Sequence, residues 1–312
     1  MKVMYRAQLR WQPVLILLLL ALTWGANMAL VKIGSREIAP LFMAGLRSFV
    51  AAFCLYIWMK AKGITLFPSR TVLVHGIVVG GMFGAEFGLI YVGLQYTTAS
   101  RTYILLYSAP FFVALGAHLL LQGDRLNFWK AAGLIIAFSG VTILFMRRNM
   151  GPMSLGALAG DVMAILAGAI WGATTIYVKK FLSYRTVPLQ TLFYQVCFSA
   201  PLLLALGLIF ETPVVSGFSM MTAFSVFYQC IIVAFLSYLV WFDLIHRYPV
   251  SLLHAFSFFT PVFGVFLSGA LILGELISLK LLVALGLVSL GTVLVNRQPS
   301  AKAQKEIGST TL

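Results

Sequence analysis

Ten apolar runs follow one another along the chain, separated by short polar connections. Each is about the length of helix that crosses a bilayer core. They cover roughly residues 13–33, 40–60, 71–95, 98–120, 128–146, 157–178, 188–210, 220–245, 249–273 and 278–296, and each is expected to be a membrane helix. Pro13, Pro40 and Pro188 stand at run starts, where a helix tolerates proline. Lys2, Arg6 and Arg10 precede the first run, which is read as a retained helix rather than a cleaved leader. The polar stretch 298–312 is expected to be a disordered cytoplasmic tail.

The pattern is written twice. Ser100, Pro110, Gly123-Asp124 and Gly140 recur 151 residues later as Ser251, Pro261, Gly274-Glu275 and Gly291. Trp24-Gly25-Ala26 through Val31-Lys32 recurs 147 residues on, as Trp171-Gly172-Ala173 through Val178-Lys179. Repeats decide architecture. Each half holds five spans, and five is odd, so the second half enters the membrane inverted. Such inverted repeats mark many secondary transporters, with sites near the midplane where the halves meet. The expected domains are 1–148 and 149–297.

Composition agrees: 61% of the 312 residues are hydrophobic and 10% charged, far from a soluble domain. The net charge of +14 belongs to the connections, so no nucleic-acid partner is expected. Fifteen of the 22 Lys and Arg residues lie on the N-terminal side of the membrane if the spans alternate. Both termini are therefore expected in the cytoplasm, with Arg147-Arg148 the one local violation. Cys54, Cys197 and Cys230 have no metal-type spacing, and neither a metal nor a cofactor is expected.

Together the doubled Trp-Gly-Ala spans, the paired Pro-x12-Gly-Asp/Glu spans, Arg47 in the second span and Gly160-Asp161 before the sixth resemble the drug/metabolite transporter superfamily, in its ten-helix EamA type. The resemblance covers about residues 13 to 296. It implies an all-α integral membrane fold of ten transmembrane helices as two inverted five-helix repeats. It also implies a central cavity lined by spans 1–4 and 6–9, and export or exchange of amino acids and similar small metabolites. Asp124 stands where that family has Glu, which keeps the charge and shortens the reach.

Glu86 is the strongest candidate. A charged acid inside a span costs roughly 2.5–3.5 kcal/mol, and such acids face a cavity or a partner. Gly80, Gly84 and Gly88 make a small-residue stripe for helix packing, and Glu86 projects from about the opposite side. It reads as a proton acceptor or a ligand for a substrate ammonium, or else as a structural acid paired with Arg47, Arg101 or His75. His75 lies about three turns before Glu86 on nearly the same face, a place for a proton relay or for an interfacial histidine. Arg47 reads as a structural tether or as a fork for carboxylate or phosphate.

Pro110 and Pro261 interrupt the fourth and ninth spans and are read as hinges that free the carbonyls of Leu106 and Ser257. Tyr103 and Tyr107 in one half, with His254 and Phe258 in the other, form an expected aromatic and polar wall. Trp24 and Trp171 lie mid-span, with Asn27 and Thr175 on or near their faces, as cavity wall or as helix-packing motif. Asp124 and Glu275 are expected to cap the spans that follow them. Asp243 is expected in a surface pair beside His246 and Arg247.

The expected function is a monomeric or weakly associated exporter of the inner membrane, working on a small molecule by alternating access, with protons a candidate coupling ion. A carrier of phosphate-ester or lipid-like metabolites using Arg47 and Arg101 is the alternative. A membrane-embedded enzyme lacks support: no Gly-x-Ser-x-Gly, His-Glu-x-x-His or phosphate-loop motif is present.

Overall fold

The computed structural model describes residues 9, 11–146, 154–267 and 278–297. Ten membrane-length apolar helices run through them: α1 (Trp11–Gly34), α2 (Pro40–Ala61), α3 (Arg70–Gly93), α4 (Ala99–Leu120), α5 (Phe128–Phe145), α6 (Leu155–Leu182), α7 (Pro188–Phe210), α8 (Met220–Arg247), α9 (Val250–Leu267) and α10 (Leu279–Asn296). The protein is an all-α, multi-pass membrane protein. The only sheet-like pairing among the described residues is a single bridge, Ile38 to Val215. Gly274-Glu275, Arg147-Arg148, the 148/149 boundary and the tail 298–312 lie outside the described residues.

Glycines set the helix contacts. Gly76, Gly80, Gly84 and Gly88 of α3 face Tyr194, Phe198, Leu202 and Leu206 of α7 in step. Both rows ascend together, so α3 and α7 are parallel. Gly168 and Gly172 of α6 meet α4 at Leu106 and at Ala109–Val113, also ascending together, while Gly133 and Gly140 of α5 meet Gly291 and Ala284 of α10 in descending order. Odd spans are parallel to odd spans and even to even, so corresponding helices of the two halves run in opposite senses. The contacts repeat when halves are exchanged: α3 packs on α7 as α2 does on α8, and α1 packs on α9 as α4 does on α6.

Two expected spans are broken rather than kinked. Ahead of Pro110, α4 divides into Ala99–Leu106 and Ala109–Leu120. Ahead of Pro261, α9 divides into Val250–Phe256 and Phe259–Leu267. A serine hydroxyl closes each break: Ser108 donates to the Leu105 carbonyl (2.6 Å) and Ser257 to that of His254 (2.7 Å). Of the two freed carbonyls, Ser257 accepts from Thr260 N–H (3.0 Å), and Leu106 packs against Gly168. Wide π turns, which periodicity does not announce, end α6 (Val178–Leu182) and fill the middle of α8 (Tyr228–Ser237).

Acids cap helices of the opposite half. The Glu211 carboxylate accepts from the N–H groups of Leu41 (2.8 Å) and Phe42 (2.9 Å) at the start of α2. Glu37 accepts from Ser219 N–H (2.7 Å) at the start of α8. Asp124 corrects the expectation that it caps the following span. Asn127 takes that place, accepting from Lys130 N–H (2.9 Å), whereas Asp124 accepts from Ser251 N–H (2.9 Å) at the start of α9. Asp124 also bonds the Ser251 hydroxyl and the Lys130 ammonium (2.7 Å). The chain turns at Gly123 with φ +84°, which carries Asp124 back toward the second half.

Two expected results follow from these caps. Glu211→Ala strips α2 of both acceptors and costs about 1–2 kcal/mol, read as a lower thermal midpoint in detergent. The Ser219 N–H bond holds the Glu37 carboxyl below its ordinary value of about 4.5. Its cap therefore stabilises fully above pH 4.5 and fades as the pH falls through the lowered value. The melting difference between the parent and Glu37→Gln should shrink on acidification; a difference that grows toward acid would refute the cap.

Candidate functional site

A chamber of about 260 Å³ lies between the halves, lined from α1–α4 and α6–α9. One wall is α3, which presents two rows at helical spacing: Phe83, Phe87 and Tyr91, and beside them Glu86, Ile90 and Leu94. The glycine stripe on the far side of α3 lets α7 approach closely, and that contact turns Glu86 inward. Glu86 is 6% exposed. It has no hydrogen bond or ion pair, unlike every other described acid: Asp161 holds Arg101, Asp243 pairs with Arg247 (2.6 Å), and the rest cap helices.

Arg47 enters the chamber from α2, 2% exposed, with its guanidinium carbon 4.5 Å from the Phe87 ring centre. Its Nε and Nη2 are buried and lack an acceptor. Glu86 and Arg47 thus sit in one chamber without forming an ion pair. The Asn27 Oδ1 atom, also in the lining, is likewise buried and unpartnered. A buried polar group left unmade costs about 1–3 kcal/mol, so these groups form a ready set of contacts for a polar molecule.

Trp24 donates its indole N–H to the Ser237 hydroxyl (2.9 Å), at the end of the π segment, and packs edge-on to Trp241 (5.3 Å). Trp171 packs against Tyr107 (6.2 Å) and His254 (5.2 Å). Tyr103 and Tyr107 line the chamber, with Tyr103 stacked on Phe145 (5.4 Å). Thr175 also lines it and bonds His254 Nε2 through its hydroxyl (3.0 Å).

The structure does not bring every candidate together. His254 and Phe258 are fully buried behind the lining, Phe258 against Tyr107 (6.4 Å). Pro110 and Pro261 are buried in their helices, outside the lining. His75 is apart from Glu86: its Nδ1 bonds the Tyr177 hydroxyl (2.6 Å), its Nε2 accepts from Arg185 (3.1 Å), and its ring stacks on Phe181 (5.2 Å). About 16 Å of helix separates the two residues. Arg101 is held by Asp161 through Nε (2.9 Å) and a second, short contact. The sequence reading missed Phe83, Phe87, Tyr91, Tyr238, Trp241, Gln195 and Thr260 as lining. Their three- and four-residue spacing beside Glu86 on α3, and along α8, was the available signal.

A chamber among ten membrane helices, with unsatisfied polar groups among aromatic rings, is the interior of a membrane carrier. The chain belongs to the EamA-like transporter family, which it matches over residues 11–146 and 158–297. It is 24% identical to the "Uncharacterized transporter YoaV" of Bacillus subtilis over 86% of this chain and 91% of that protein. It is 29% identical to a "Probable amino-acid metabolite efflux pump" of Salmonella typhimurium, over 83% of this chain and 86% of the relative. A crystal structure that is 21% identical superposes with a TM-score of 0.78, covering 92% of this chain and 96% of the other, and shares the fold.

Proposed function

We propose that this transporter is an exporter of amino acids or similar small zwitterionic metabolites in the inner membrane, with both termini cytoplasmic. One observation carries the reading: a carboxylate with no hydrogen bond and a guanidinium with two nitrogens lacking an acceptor share the chamber. Glu86 would take the substrate ammonium, and Arg47 its carboxylate in a planar fork. The rings of Trp24, Tyr107 and Trp171 would cover the apolar part. The two similarly named efflux pumps of Salmonella typhimurium and Escherichia coli agree with this cargo.

At about 260 Å³, the chamber is at the small end of ligand pockets, which favours a metabolite over a lipid. The phosphate-ester alternative asked for Arg101 as well as Arg47, and Asp161 occupies Arg101. Alternating access fits the halves. Pro110 and Pro261 stand beside the breaks in α4 and α9, where a segment can swing without losing helix bonds. Of the two segments, α9 is buried throughout from Val250 to Val262, whereas α4 has exposed and half-buried residues from Ala99 onward. The chamber thus opens at the α3–α4 connection, which the positive residues assign to the outside.

Counterflow in proteoliposomes tests the reading. Labelled amino acids, their amides, their deaminated analogues and phosphate esters are compared, with and without an imposed pH gradient. Exchange that needs both charged ends supports it, and exchange of phosphate esters alone would replace it.

A further inference from the structure

The chamber has two ends, and the repeat makes them equivalent. Val31 and Leu94 line one end, and Val178 and Ile245 the other. Val178 follows Val31 by the offset that relates Trp171 to Trp24, and Ile245 follows Leu94 by the offset that relates Pro261 to Pro110. The ends differ in the residue next to each valine. Lys179 is 2% exposed, and its ammonium donates to the carbonyls of Ile245 (2.5 Å) and His246 (3.1 Å), in the last turn of α8. Lys32, its counterpart, is exposed, and its ammonium bonds no described residue.

Burying a lysine is costly unless its charge is well satisfied. The carbonyl end of a helix offers unpaired acceptors and the negative pole of the dipole. Lys179 therefore ties the wide π turn at the end of α6 to the end of α8 and shuts that end of the chamber. Two of its acceptors are the carbonyls at that helix end. The α3 end has the same kind of acceptors, at Leu94 and Gln95.

We propose that Lys179 and Lys32 are alternating bolts of the two ends. In the state described, Lys179 holds the α6–α8 end shut and Lys32 is withdrawn. In the opposite state Lys179 lets go, and Lys32 donates to the Leu94 and Gln95 carbonyls to shut the α1–α3 end. The inference rests on the carrier reading above but not on its cargo.

The test is cysteine labelling of the full chain in nanodiscs, with Cys54, Cys197 and Cys230 replaced by alanine. Val31→Cys reports one end and Val178→Cys the other, each with a membrane-impermeant maleimide. Lys179→Met should raise labelling at Val178→Cys by roughly tenfold, the worth of a charge-assisted bond, and lower it at Val31→Cys. Lys179→Arg, which keeps the charge and donors, should restore most of the parent pattern. Lys32→Met should act in the opposite sense, slowing Val178→Cys by a similar factor.

A rise at both reporters in Lys179→Met means loosening without exchange and overturns the proposal, as does a folded variant that labels like the parent. If Lys179→Met does not fold, Lys32→Met decides, because its side chain is exposed here: unchanged labelling at Val178→Cys overturns the bolt. Labelling needs no substrate, so a wrong cargo leaves these outcomes untouched. A bolt that fails while counterflow persists leaves the carrier standing.

Discussion

Glu86→Gln lowers counterflow of a zwitterionic substrate about ten- to a hundredfold below saturation, while the protein stays folded. The size follows from a charge-assisted hydrogen bond inside a low-dielectric chamber, worth about 1.5–3 kcal/mol. Folding survives because no protein group hydrogen-bonds the Glu86 carboxylate, so glutamine orphans no donor, and it removes a charge that is costly inside a membrane. Thermal unfolding of the variant should match or exceed that of the parent. A deaminated analogue, lacking the ammonium, should lose little between parent and variant. A fall in thermal midpoint with equal loss for every analogue would make Glu86 a structural acid and sink the assignment.

Gly291→Ala is the substitution expected to damage the fold most. A Cβ there would lie 2.4 Å from the Gly133 carbonyl oxygen and 2.6 Å from the Ala137 nitrogen. Both are backbone atoms of α5, so no side chain can turn aside, and α5 and α10 must part along their seam. The cost is about 3 kcal/mol, at the upper end of overpacking effects. Five residues earlier on the same helix, Gly286 has nothing within 4 Å of its would-be Cβ. Gly286→Ala should therefore be neutral or stabilising by up to about 1 kcal/mol. Thermal midpoints of the two variants in one detergent check the contrast, and equal behaviour would refute the close α5–α10 contact.

The ten helices were legible because membrane length and apolarity are local properties that each span carries alone. The inward turn of Glu86 was nearly as legible: Gly80, Gly84 and Gly88 announce a packing face, and Glu86 lies off it. What a residue touches across the fold was not. Asp124 reads as the cap of its own following helix, yet Asn127 fills that place and Gly123 swings the acid onto α9. His75 shares a helical face with Glu86, but a face is shared only until another helix covers part of it, and Tyr177 and Phe181 of α6 cover the His75 end. The π turns in α6 and α8 left no mark because the apolar pattern of a buried membrane helix runs nearly all round it. Aromatic lining such as Tyr238 and Trp241 hid for the same reason, among lipid-facing rings of similar spacing.

The caps exchanged between halves also bear on how the protein is made. The N–H groups that open α2 wait for Glu211, 170 residues further along the chain, and the start of α9 needs Asp124 from the first half. During synthesis, α2 is inserted long before the ribosome reaches its acceptor. Its first turn must borrow water or lipid headgroups in the meantime. The first five helices are therefore a waiting intermediate rather than a finished module, and assembly of the two halves completes the chemistry of the helix ends. Duplication supplied two copies of one design, and the exchange of caps binds them into a single folding unit.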